Sequence, residues 1–258
     1  MPGTNKRPVV FITGAGSGLG RALAHLYGQR GAKLGLLGRR AGPLQDLAAQ
    51  YDARVYLADV RDARAMQAAA RAFIEQAGVP DIVIGSAGIS VGTLTEHAED
   101  LPVFQAVMDA NLMGLVHAFH PFIQEMSQRG SGTLCGIASV AGVRGLAGGG
   151  AYSASKAAVR VYLESLRLEL RSRGIAVVTV APGYIDTQMT RVNTYPMPFR
   201  MTAESAAHKV ARAIRLRRRY TVIPWQMSLV ERILKHMPGW IYDRLFEHAK
   251  RKPRGLPT

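Results

Sequence analysis

Six short runs of aliphatic and β-branched residues punctuate the chain, at residues 8–12, 32–37, 54–58, 81–88, 133–138 and 175–180. Each is short and nearly continuous in apolar character, the pattern of a strand buried on both faces of a parallel sheet. Between them the apolar residues recur at helical spacing. Leu19, Leu23, Leu26 and Tyr27 follow the first run, and helices are predicted at 44–51, 61–77 and 101–124 and from the region of Tyr152 to about Arg173. Strand and helix alternate throughout, without repeats and without linker-like composition before residue 185. That order predicts an α/β fold, a doubly wound parallel sheet with helices on both faces.

Beyond residue 185 the pattern changes. Residues 185–201 bring together Met189, Tyr195, Met197, Phe199 and Met201, with Pro196 and Pro198 stiffening the segment. Such a stretch is either an apolar lid over a hydrophobic ligand or packing for the core. Thr202 is placed to N-cap a helix through Ile214. Four arginines then fall within 215–219, followed by Met227, Leu229, Val230, Ile233, Leu234 and Met237 at helical spacing. After Pro238-Gly239 come Trp240, Ile241, Leu245, Phe246 and Ala249, with Arg244, Lys250, Arg251 and Lys252 nearby. We therefore divide the chain into a sheet domain at 1–220 and a basic amphipathic C-terminal helical extension at 221–258.

Charge sharpens that division. The 258 residues carry a formal net charge of +15, of which residues 212–258 supply +9. Cations interleaved with exposed aromatics suit peripheral contact with an anionic membrane, while the same apolar faces could cover a cleft or join two copies. No helix-turn-helix, zinc or RNA-binding pattern accompanies the charge, so nucleic acid is not an expected partner and no metal site is expected. Cys135 is the single cysteine, so no intramolecular disulfide forms, which suits a reducing, cytoplasmic setting. The polar segment 1–7 is not a signal-peptide core, and no run reaches the length of a membrane span.

Candidate chemistry begins at Thr13-Gly14-Ala15-Gly16-Ser17-Gly18-Leu19-Gly20, between the first strand and the first helix. Backbone N–H groups and the positive helix end there are available to a phosphate, and glycines let it approach. The second run ends in Gly38-Arg39-Arg40, without the acid that would bind ribose hydroxyls. Arg39, supported by Arg40, could instead pair with a 2′-phosphate, unless both are simply solvated.

Tyr152 and Lys156 stand four residues apart, on one helix face. A neighbouring ammonium favours a phenolate, and lowering a phenol from about 10 to about 7 requires roughly 4 kcal/mol. Ser139 ends the fifth run, where its hydroxyl would sit at the mouth of the sheet. Asn111 lies among Val107, Met108, Leu112 and Leu115, either as a satisfied core amide or as a functional kink.

Together, Thr13-Gly14-xxx-Gly18-x-Gly20, Asp59, Ser86-Ala87-Gly88, Asn111, Ser139, Tyr152-xxx-Lys156 and Pro182-Gly183-xxx-Thr187 resemble the short-chain dehydrogenase/reductase family in order and spacing, over residues 8–190. The resemblance implies a Rossmann-like single domain and an oxidoreductase that interconverts a ketone or aldehyde and an alcohol. It implies Tyr152 as acid or base, Lys156 tuning it and binding the nicotinamide ribose, Ser139 on the substrate oxygen, and Asn111 holding a water in a relay to Lys156. It further implies cofactor contacts at Gly14, Ser17, Gly18, Leu19, Gly20, Asp59, Val60, Ala87, Gly88, Pro182, Gly183, Ile185 and Thr187. NADP(H) is the expected cofactor, with NAD(H) possible, because Arg39 and Arg40 stand after the second run. Two positions depart from the family pattern: Gly85-Ser86 replaces the usual pair of asparagines, and Ser17 stands where many NADP-preferring members carry a second basic residue. The resemblance also implies a homodimer or homotetramer through the helices bearing Asn111 and Tyr152. A nucleotide-binding scaffold without turnover is the alternative reading, against which the intact Asn111-Ser139-Tyr152-Lys156 set speaks.

Overall fold

A computed structural model describes residues 7–254. Seven parallel strands form its main sheet in the order β3-β2-β1-β4-β5-β6-β9. The first half contributes β1 (Val9–Thr13), β2 (Lys33–Gly38) and β3 (Ala53–Leu57), joined by α1 (Gly18–Gln29) and α2 (Ala41–Ala48). Helix α3 (Ala63–Ala77) then crosses to β4 (Ile82–Gly85) on the other side of β1. From there α4 (Leu101–Met108), α5 (Gly114–Arg129), β5 (Gly132–Ile137), α6 (Gly150–Leu170) and β6 (Ile175–Pro182) extend the sheet outward. Strand order reverses between β1 and β4, and open parallel sheets hold ligands beyond the strand ends at such a switch point.

Two hydrophobic layers cover the sheet. One face packs Leu23, Leu26, Leu34, Leu36 and Val178 against α1 and the later helices. The other packs Phe11, Phe73, Phe119, Phe122 and Leu163. The Phe11 ring lies 5.2 Å from Phe73 and 4.9 Å from Phe122. Gly35 explains how three rings fit there: a Cβ at this position would meet Phe73 at 2.8 Å.

The structure differs from the pattern-based expectation in three places. The helix predicted over 101–124 is not continuous, because a π-helical turn at Asp109–Met113 separates α4 from α5. The Tyr152 helix ends at Leu170, followed by one 3-10 turn over Arg171–Arg173. The third difference concerns the boundary at 220/221, which falls inside the sheet. Beyond β7 (Ile185–Asp186), α7 (Gln188–Arg191), β8 (Met201–Thr202) and α8 (Ala203–Arg215), a seventh strand, β9 (Tyr220–Ile223), pairs in parallel with β6. Its four residues are β-branched or aromatic, and the sequence analysis assigned them to no strand. After this last strand come α9 (Trp225–His236) and α10 (Gly239–Phe246). Thr202 does cap α8, accepting a hydrogen bond from the Ser205 N–H at 3.2 Å.

Candidate active site

The carboxyl ends of β1, β4, β5 and β6 open into one cleft. Its lining includes Gly14, Ser17, Gly18, Leu19 and Gly20 from the first turn, and Ala87 and Gly88 after β4. Ser139, Tyr152 and Lys156 form the opposite side, with Pro182, Gly183, Ile185 and Thr187 after β6. Residues scattered over more than 170 positions therefore meet at the switch point.

The glycine-rich turn has the features of a phosphate cradle. No side chain caps α1, and its first turn carries no acid, so its amides and positive end are left to the cleft. Gly14 and Gly18 hold φ values of +69° and +51°, where a Cβ would be strained. A Cβ on Gly14 would also sit 2.8 Å from the Ala87 backbone, and one on Gly18 would sit 3.1 Å from the Thr187 methyl. These residues fit the pyrophosphate of a dinucleotide.

Ser139 leaves β5 in extended conformation and caps a short 3-10 turn, accepting from Ala141 N–H at 3.1 Å. Its hydroxyl donates to the Pro182 carbonyl at 3.5 Å and faces the Tyr152 phenol, on whose pKa it acts downward. Desolvation nevertheless dominates and raises that pKa, with the nearby Tyr184 hydroxyl adding to the rise. This reverses the direction expected from the Tyr-Lys pair alone. The rise comes from burial of the phenol, while the ammonium is engaged with another partner. Lys156 Nζ lies 5.8 Å from the centroid of the Tyr152 ring and donates to the Ile137 carbonyl at 2.9 Å. Lys156 is itself buried, and desolvation lowers its pKa to about 8. Tyr152 is thus a protonated phenol at neutral pH, the form required of a general acid.

Asn111 occupies the π-helical turn and is both a satisfied amide and part of a kink. It accepts from the Ile89 N–H at 2.8 Å, donates to the Ile89 carbonyl at 3.0 Å, and donates to Ser155 Oγ at 2.9 Å. It lies outside the cleft lining but behind it: a Cβ on Gly88 would fall 2.8 Å from Asn111 Oδ1 and 3.7 Å from Lys156 Nζ.

The adenosine side is less concentrated. Asp59 lies outside the cleft, its carboxylate held by Arg61 at 2.7 Å and approached by Arg39 at 3.8 Å. Val60 is buried, and its carbonyl is hydrogen-bonded to His117 at 2.9 Å. Arg39 is exposed after β2, while Arg40 lines a neighbouring hollow with Gly16, Ser17 and Arg21.

Ser86 and Met189, noted in the sequence, line the cleft as well, together with Ile89, Ile137, Ala138, Gln188 and Thr190, which sequence reasoning did not single out. Tyr184 was missed as well. Its ring packs edge-on against Tyr195 at 6.4 Å, and burial raises the pKa of both phenols. Aromatic residues just after the Pro182-Gly183 turn were the available signal.

Known proteins point the same way. The short chain dehydrogenase family model matches residues 8–196. An uncharacterized oxidoreductase of Myxococcus xanthus is 36% identical over 240 residues, covering 90% of this chain and 94% of that protein. Sulfoacetaldehyde reductase 2 of Chromohalobacter salexigens is 34% identical over 191 residues, covering 72% and 76%. Among solved structures, levodione reductase superposes with a TM-score of 0.75 at 26% identity, covering 83% of this chain and 95% of that one. The chain belongs to the short-chain dehydrogenase family, oxidoreductases that work with a nicotinamide cofactor.

Proposed function

We propose that this protein is an NADP(H)-preferring reductase that interconverts a carbonyl compound of apolar body and its alcohol. One observation carries the reading: the Tyr152 and Ser139 hydroxyls share a single cleft with the glycine cradle. The nicotinamide, when bound, supplies or accepts the hydride. Ser139 donates a hydrogen bond to the substrate oxygen as negative charge grows on it, and Tyr152 delivers the proton. Lys156, anchored on the Ile137 carbonyl, places a cation beside the phenol, and Asn111 holds the Ile89 turn against the same side chains.

Support for NADP(H) comes from Arg39, which follows β2 where an acid would favour NAD(H). The apolar substrate class is supported by Ile89, Ile185 and Met189 in the cleft and by the Tyr184–Tyr195 pair beside Tyr152. Reduction of a panel of aldehydes and ketones with NADPH and NADH tests the reading, with Tyr152→Phe as control. Turnover with NADPH that vanishes in the variant supports it. A Tyr152→Phe enzyme as active as wild type overturns the assigned acid.

The C-terminal helices support a second contact, with an anionic membrane surface. Trp225, Leu229 and Ile233 form one exposed stripe on α9, and Trp240 and Leu245 are exposed on α10, with both tryptophans 72% accessible. Arg232, Lys235 and Arg244 border them. Apolar aromatics ringed by cations match an interfacial lipid site. Among the described residues no helix is long and apolar enough to cross a membrane. Flotation with phosphatidylglycerol vesicles at low salt, lost in Trp225→Ser/Trp240→Ser, is the expected result. Absence of flotation at any salt rejects this contact.

A further inference from the structure

After α10 the chain returns across the rim of the cleft as far as Arg254, the last described residue. Gly92 N–H donates to the Pro253 carbonyl at 2.9 Å, and Gly92 and Arg254 form an isolated parallel bridge. Two glycines make this passage possible. A Cβ on Gly92 would be 2.7 Å from the Pro253 carbonyl oxygen, and one on Gly148, which has φ +70°, would be 2.9 Å from Arg251 Cβ. Arg254 fastens the end, donating to the buried Asp100 at 2.7 Å and to Glu99 at 3.0 Å.

This passage carries Lys252 to the lip of the catalytic cleft. Its ammonium donates to Ser90 Oγ at 2.8 Å and to the Met189 carbonyl at 3.3 Å. Ile89, next to Ser90, and Met189 both line the cleft. Both acceptors are neutral, and among the described residues no carboxylate lies within 4 Å of Lys252. Arg254, two residues further on, takes both nearby acids for itself. Lys252 is thus a partly desolvated cation without a counter-charge, and desolvation lowers its pKa to about 8. It stays mainly protonated at neutral pH. Ser90, which accepts from it, keeps its own O–H free to donate.

We infer that Lys252 is a specificity-determining residue that binds an acidic group at the far end of the carbonyl substrate, with Ser90 as its partner donor. The inference rests on the carbonyl-reductase reading above and sharpens it: the substrate is an oxo acid whose apolar body spans Ile89 and Met189. With its carbonyl at Ser139 and Tyr152, its carboxylate or sulfonate meets a charge-assisted hydrogen bond at the lip.

The test compares aldehydes matched in length, butanal with succinic semialdehyde and hexanal with adipic semialdehyde, as substrates of wild type, Lys252→Met and Lys252→Arg. Wild type is expected to favour the longer or shorter acid over its neutral partner by about tenfold or more in kcat/KM, through KM. Lys252→Met erases that preference while kcat on the neutral aldehydes holds, and Lys252→Arg restores much of it. An equal loss on neutral and acidic substrates identifies a structural latch and overturns the inference, as does a wild type without acid preference. A binding measurement separates this result from failure of the underlying reading. Hexanoate should perturb the fluorescence of the enzyme–NADPH complex at a concentration about tenfold below 1-hexanol, and only with Lys252 or Arg present. Equal affinities contradict the inference whether or not any carbonyl is turned over.

Discussion

Asn111 and Ile89 exchange a reciprocal pair of hydrogen bonds, at 2.8 and 3.0 Å, across the ends of α4 and β4. A side-chain amide thereby replaces a strand neighbour for the backbone that leaves the sheet. Asn111→Ala leaves the Ile89 N–H and carbonyl without partners and removes the link to Ser155, and unsatisfied groups of this kind cost about 1–3 kcal/mol. We expect urea denaturation to show a loss of that size, together with reduced turnover, because the released turn carries Gly88 and Ile89 into the cleft lining. Asn111→Asp, which keeps one acceptor, should fall between the two. Unchanged stability in Asn111→Ala would show that the turn is held by other contacts.

Burial sets an unusual pH dependence at Lys156. Its pKa is about 8 in the folded protein, against an ordinary 10.5. Between these values the unfolded chain holds the proton and the folded chain does not, so stability contributed by this residue rises with pH. Below pH 8 the penalty is fully present. Over the whole window the rise is on the order of 3 kcal/mol. Stability of wild type minus that of Lys156→Met, measured without cofactor from pH 7 to 10.5, should therefore climb. Parallel profiles would mean that the ammonium is not desolvated.

Self-association is expected through α4 and α6. Val161 and Leu168, two turns apart on α6, and Leu101 on α4 are all exposed, although α6 carries Tyr152 and Lys156 and α4 leads into the turn that holds Asn111. Covering such apolar helix faces with a second copy forms an isologous contact. Light scattering should give at least twice the 27.9 kDa chain mass for wild type. Val161→Glu/Leu168→Glu should shift it to the monomer. A monomeric wild type over a wide concentration range would contradict this arrangement.

Much of the site was legible in the sequence because it is built from local patterns. A glycine-rich turn between strand and helix, a Tyr-Lys pair at helical spacing, and a serine at a strand end each signal their structural setting, and the family spacing ties them together. What escaped was non-local. Strand β9 is only four residues long and follows a run of arginines, and its pairing with β6 is what makes it part of the sheet. Asn111 could not be resolved between core amide and kink because Ile89 and Ser155 approach it from other elements. The direction of the Tyr152 pKa is set by burial of the phenol, which the spacing to Lys156 does not reveal, nor does it reveal that Lys156 donates to the Ile137 carbonyl. Lys252 read as one cation in a basic tail. Only the return of that tail past Gly92 brings it to the cleft.

The central claim is that this cleft binds NADP(H) in preference to NAD(H), with Arg39 reading the additional phosphate. Fluorescence titration of wild type and Arg39→Ala with NADPH and NADH tests it directly. Wild type should bind NADPH more tightly, by about tenfold or more for a charge-assisted phosphate contact, and Arg39→Ala should remove that advantage while leaving NADH affinity intact. Equal affinity of wild type for the two cofactors would contradict the assignment of Arg39, and failure to bind either would contradict the nucleotide site itself.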